Sequence, residues 1–154
     1  MCWINEEGTA LAIDSAGNLF VTGRAGYSTY SEIHSDFVTI KYDGVTGQQL
    51  ENRRYNGPHN LIDDAKALAV GSGDNIYITG SSTAATSGRD YVTIKYNGVT
   101  GQQLENRRYN GPHNLIDDAK ALAVDSAGNA FVTGSSFSLV GPDPLRANIV
   151  TIKY

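Results

Sequence analysis

A stretch of 27 residues occurs twice in this chain without a single change. Gly44–Val70 reads GVTGQQLENRRYNGPHNLIDDAKALAV, and Gly98–Val124 repeats it 54 residues later. A third, partial copy follows as ALAVDSAGN-FVTGSS and ends in VTIKY. Self-similarity at a period of this length marks a repeat architecture, in which each unit buries its apolar surface against its neighbours.

Each repeat divides into two hairpins. The first is Ala10–Gly23, matched by Ala67–Gly80 and Ala121–Gly134. Short apolar runs there flank Asp-Ser-Ala-Gly-Asn, or Gly-Ser-Gly-Asp-Asn in the second copy. Gly17 and Gly128 can take the positive φ of a tight turn. The second hairpin is Asp36–Tyr55, matched by Asp90–Tyr109. Its first run is rich in Phe, Val, Thr, Ile and Tyr, which suit a pleated surface. Asp43-Gly44 and Asn97-Gly98 mark its turn, and Asn-Gly-Pro breaks the chain after it. The connector HNLIDDAKALAV contains helix formers, but its Asn-Gly-Pro start and short length predict a loop feeding a strand.

The four strands, A to D, differ in polarity. Strand A reads ALAI or ALAV, the pattern of a strand buried on both faces. Strand D, QLENRRY, is polar. Apolar inside and polar outside predicts an all-β propeller of four-stranded antiparallel blades with strand A at the axis. The expected layout is an N-terminal segment 1–9, blade 1 at 10–55, a connector at 56–66, blade 2 at 67–109, a connector at 110–120 and blade 3 at 121–154.

The repeats differ in length only between strands B and C. Those segments are Arg24–Ser35, Ser81–Arg89 and Ser135–Ala147, expected as loops on the same face as the D-to-A connectors. Variable loops on a fixed scaffold are where binding residues concentrate.

The pattern D-F/Y-V-T-I-K-Y, a glycine turn, R-R-Y-N-G-P and A-L-A-V-D-S-A-G-N-x-F-V-T-G resembles the bacterial SBBP β-propeller repeat, from about Thr9 to Tyr154. The resemblance implies four-stranded blades, a secreted or cell-surface setting and no shared reaction. This chain departs from it where Glu51 and Glu105 follow Leu50 and Leu104 in place of an aromatic. It also holds fewer than three full repeats, where the family name implies seven blades.

Candidate binding residues follow from this layout. Tyr27, Tyr30, His34, Arg89, Phe137 and Arg146 lie in the B–C segments, where aromatics and arginines suit glycan or protein contact. His59, Asp63 and Asp64, with His113, Asp117 and Asp118, lie in the connectors. Their spacing matches no zinc or calcium template, and hydrogen bonding of the aspartates to connector amides is the simpler expectation. Asp14, Asn18, Asp125 and Asn129 are expected to bond their own turn amides. No metal, cofactor or catalytic residue is expected. There is no G-x-S-x-G elbow, and Cys2 has no neighbouring base.

The single cysteine excludes an internal disulfide, and the net charge of −4 gives no basic footprint for nucleic acid. No apolar run approaches the 18 residues of a spanning helix, so no membrane insertion is expected, and Met1–Thr9 does not read as a secretion signal. The leading expectation is a non-enzymatic structural or binding scaffold. A rival is a lyase or hydrolase using the channel mouth, and a third reading is an engineered or recently duplicated fragment with no selected ligand.

The third repeat lacks a D strand, which leaves Asn148–Tyr154 as an open edge. Met1–Asn5 could supply the missing strand, giving three blades per chain. Two chains would then close a six-bladed ring, with a nine-bladed trimer second. Trp3, Ile4, Ile149, Ile152 and Tyr154 are the expected assembly residues.

Overall fold

The computed structural model describes residues 3–28, 33–86, 88–140 and 143–154. Its strands form three antiparallel sheets. The first comprises β1 (Trp3–Ile13), β2 (Leu19–Ser28), β3 (Ile33–Tyr42) and β4 (Gln49–Tyr55), in that spatial order. The second repeats it with β5 (Asp63–Val70), β6 (Asn75–Ala84), β7 (Gly88–Asn97) and β8 (Gln103–Tyr109). The third has β9 (Asp117–Val124), β10 (Ala130–Val140) and β11 (Asp143–Lys153). The innermost strands β1, β5 and β9 touch in succession, so the sheets stack as about three propeller blades.

The turns form as local chemistry dictates. Asp14 Oδ1 accepts from the Ala16 and Asn18 N–H groups at 3.0 and 2.8 Å, and Asp125 Oδ1 repeats this with Ala127 and Asn129. Gly17 sits at φ 83° and Gly128 at φ 85°. The inner strand of each blade shifts register at one place: Gly8/Ala10, Ala65/Ala67 and, opposite Thr133/Gly134, Ala119/Ala121. A glycine of the second strand faces each shift. A Cβ on Gly80 would lie 2.0 Å from the Asp64 carbonyl oxygen, and Gly23 and Gly134 are as close to the inner strand.

The core lies between blades. Alternation along a strand gives each blade two unlike faces. One, here the threonine face, carries Phe20, Thr22, Phe37, Thr39 and Lys41 in blade 1. The other, the aliphatic face, carries Ile76, Ile78, Val92 and Ile94 in blade 2. Phe20 and Phe37 pack into that aliphatic face, with Leu68 and Val70 at its inner edge. The next junction repeats the scheme, with Tyr91 and Tyr109 of blade 2 against Val132, Ile152 and Tyr154 of blade 3. Polar links cross both junctions. Lys41 Nζ donates to the Gly98 carbonyl at 2.9 Å, and the Tyr77 hydroxyl donates to the Gly128 carbonyl at 3.0 Å.

Four expectations change. The segments between strands B and C are mostly strand: β2 runs to Ser28 and β3 starts at Ile33, while β6 and β7 leave only three residues between Ala84 and Gly88. Their backbones continue the antiparallel ladder beyond the predicted ends, pairing Ser28 with Ile33, Ala84 with Gly88 and Ser138 with Arg146. Asp63, Asp64, Asp117 and Asp118 belong to β5 and β9 rather than to the connectors, because their backbones pair with β6 and β10. Strand A is not buried on both faces in the single chain: Leu11 and Ile13 are exposed where the equivalent Leu68 and Val70 are half-buried, because among the described residues no blade packs on the aliphatic face of blade 1. Finally, Trp3–Asn5 do not form an outer strand. They open β1, paired with Ser28–Gly26 of the same blade.

Candidate binding face

The B–C hairpins and the D-to-A connectors meet at one end of the blades. Ser35 N–H donates to the Leu61 carbonyl at 3.2 Å, Thr83 N–H to Ile62 at 3.0 Å and Phe137 N–H to Ile116 at 3.0 Å. Each connector is therefore stitched to a neighbouring hairpin. The left-handed Asn60 and Asn114, both at φ 50°, turn the connector back toward the inner strand.

Below this surface, Asp63 and Asp117 hold the connectors in place. Asp63 Oδ2 accepts from Gly57 N–H at 2.5 Å, and Asp117 Oδ2 from Gly111 N–H at 2.6 Å. Both carboxylates are fully buried. Burial pushes Asp63 above the usual carboxylate range, partly offset by the Ser82 hydroxyl and the Gly57 N–H. Behind it Arg108 pairs with Asp90 at 2.5 Å and donates to Ser82 Oγ at 2.6 Å. These groups support the face from within.

At the inner strands lies a charged cluster. Glu7, Asp64 and Asp118 occupy equivalent positions of the three blades, each one residue before its register shift. Arg24 bridges two of them, at 3.0 Å from Glu7 and 3.4 Å from Asp64. Arg89 approaches Asp64 from the other side at 3.9 Å, the Ser35 hydroxyl donates to Asp64 at 3.5 Å, and Lys120 pairs with Asp118. Asp64 is buried while Arg24 and Arg89 remain partly accessible, so the guanidiniums form its outer surface.

Farther out, Tyr27 and His34 are cross-strand partners in β2 and β3. Their rings stack at 5.0 Å with an interplanar angle of 28°. The His34 Nδ1 also contacts the Asn60 carbonyl, tying the stack to the connector. His59 and His113 are exposed on the connectors, Arg146 is exposed on β11, and Phe137 is half-buried on β10. Tyr30 lies outside the described residues. The structure thus joins Tyr27 to His34, and Asp64 to Arg89. It separates His59 from the buried Asp63. Among the described residues no three His, Cys, Asp or Glu side chains gather as metal ligands.

Sequence reasoning missed Glu7 and Arg24. Arg24 stands where Ser81 and Ser135 stand in the other repeats, and that local departure was its available signal. The arrangement supplies an aromatic face and partly accessible guanidiniums held by carboxylates, the means for stacking and charge-assisted contact.

A concavity adjoins this cluster and shares Glu7 and Arg24 with it. An open bowl of about 450 Å³ indents the aliphatic face of blade 1, floored by Val21, Val38, Ile40 and Tyr42 and rimmed by Glu6, Arg24 and Arg54.

Residues 102–138 match the SBBP family, described as a beta-propeller repeat. This span runs from strand D of blade 2 through the connector into β10, so it joins the parts that build the second junction. No curated protein matches the chain.

Proposed function

Because the chain carries an SBBP-type β-propeller repeat, we propose that it is a non-enzymatic scaffold whose blades present the B–C hairpin ends and connectors to a glycan or protein ligand. The Tyr27–His34 stack at the hairpin end, with the Arg24–Asp64–Arg89 cluster farther in at the inner strands, carries this reading. An aromatic pair fixed on strands presents a ring face at little entropic cost, and a ring face suits the C–H surface of a sugar or an apolar side chain. Arg24 and Arg89 add donors for carboxylate or hydroxyl groups nearby. Their partner Asp64 is already engaged by both cations, which suits a positioning role rather than proton transfer.

The repeats support the same face. Gly23, Gly80 and Gly134 recur in every blade, whereas the hairpin ends beyond them differ in length and sequence. At the opposite end, Asp-Ser-Ala-Gly-Asn occurs in blades 1 and 3, with Gly-Ser-Gly-Asp-Asn of equal length in blade 2, and Gly-Val-Thr-Gly occurs in blades 1 and 2.

A glycan array containing acidic and neutral polysaccharides tests the proposal. Retention of at least one glycan by the intact chain, lost in Tyr27→Ala and Arg89→Ala but kept in Val45→Ser at the opposite end, supports it. No retained glycan removes the glycan form of the reading. Retention lost only in Val45→Ser overturns the choice of face.

A further inference from the structure

We propose that the aliphatic face of blade 1 is a docking surface for the threonine face of blade 3 of a second copy of this chain, so that copies join head to tail into a closed ring. This inference is independent of the loop-end ligand.

The junction it requires already exists twice within the chain. At the first, Phe20 and Phe37 of blade 1 pack into the aliphatic face of blade 2. At the second, Tyr91 and Tyr109 of blade 2 pack against blade 3. Blade 3 carries the same threonine face again. Phe131 stands at the position of Phe20 and Tyr77, and Ile149 at that of Phe37 and Tyr91.

This third face is preformed but uncovered. Thr151 Oγ1 donates to Thr133 Oγ1 at 2.9 Å, as Thr22 and Thr39 are joined at 3.0 Å. Lys153 lies over the Phe131 ring at 5.7 Å, as Lys41 lies over Phe20 at 5.1 Å. Exposure alone differs. Phe20 is 0% and Tyr77 4% exposed, against 38% for Phe131, and Ile149 is 88% exposed where Tyr91 is fully buried.

Blade 1 offers the complementary surface. Leu19, Val21, Val38, Ile40 and Tyr42 occupy the positions of Ile76, Ile78, Val92, Ile94 and Tyr96. Leu11, 66% exposed, and Ile13 occupy those of Leu68 and Val70, which pack on the first junction. The bowl over Val21, Val38 and Ile40 is the space that a preceding blade fills elsewhere in the chain. Gly44 matches Gly98, so its carbonyl can accept from Lys153 of the second copy as Gly98 accepts from Lys41. The occupant is therefore defined by the chain's own repeat.

The contact is heterologous, joining unlike patches, and such contacts form rings when the rotation closes. Two copies give six blades, within the usual four to eight, and use two identical junctions.

Light scattering on the intact chain tests this, with Ile149→Arg to block the threonine face and Leu11→Arg to block the aliphatic face. Both residues are exposed in the single chain, so circular dichroism should stay β. If either variant unfolds, Phe131→Ser and Ile13→Ser replace them. The expected results are a particle of two or three chains for the wild type and single chains for each variant, an at least tenfold weakening. An equimolar mixture of the two variants should recover a two-chain particle, since one intact face of each kind remains. A monomeric wild type overturns the proposal, as do variants that still assemble. A mixture that stays monomeric overturns the head-to-tail geometry.

Discussion

Gly57 N–H donates to the Asp63 carboxylate at 2.5 Å, across six residues and beneath the binding face. The second repeat makes the same bond between Gly111 and Asp117 at 2.6 Å. A fully buried carboxylate thus decides where each connector ends and the next inner strand begins.

Replacing Asp63 with Ala leaves the Gly57 donor unpaired in the interior. The expected loss is about 1–3 kcal/mol of stability, measured by urea unfolding. Asp63→Asn keeps an acceptor and removes a charge that burial already disfavours, so it should lose less than the Ala variant. A larger loss for Asn than for Ala would contradict the hydrogen-bond account.

Acid should weaken the inner turns. Burial acts upward on Asp14, but the Asn18 side chain and N–H and the Lys41 charge together hold it below its ordinary 3.8. Asp125 is also held below 3.8, by the Asn129 side chain and N–H. A folded value below the unfolded one adds stability above the unfolded value, and this is lost as pH falls through the folded value. Melting temperature should therefore drop below a pH of 3.8, and Asp14→Asn should flatten that limb. Asp63 acts with the opposite sign: its raised value makes its contribution decline as pH rises from 3.8 through the folded value.

Gly80→Ala should be severe for a single methyl group. The added Cβ would lie 2.0 Å from the Asp64 carbonyl and 2.8 Å from the Ala65 Cα, both backbone atoms. Inner and second strands would have to separate beside the register shift, at about 1–3 kcal/mol. Chemical denaturation measures it, and a loss under about 0.5 kcal/mol would show that the strands adjust freely.

Tyr77→Phe should cost about 0.5–1.5 kcal/mol, the net value of one hydrogen bond, because the hydroxyl donates to the Gly128 carbonyl of the next blade at 3.0 Å. The ring itself is compatible with the site, since Phe20 and Phe131 occupy the equivalent positions. Thermal unfolding of the intact chain checks it, and an unchanged melting temperature would remove this link from the junction.

What the sequence by itself determined is local or periodic. The exact repeat set three successive units, the polarity of ALAI and QLENRRY set the inner and outer strands, and Asp14 with Asn18 set a turn closed within four residues. Tyr27 and His34 were legible as one cluster because a hairpin brings them together. Arg24 was not, because its partner Asp64 lies 40 residues away on another blade. Tertiary structure decided which repeated residues are covered. DFVTIKY in β3 alternates between buried and half-buried positions, while the nearly identical DYVTIKY in β7 is buried at all but Lys95. The difference lies in position: β7 has a blade on each side and β3 on one. Burial is a property of the neighbour, and near-identical sequences acquire unlike environments when only the neighbours differ.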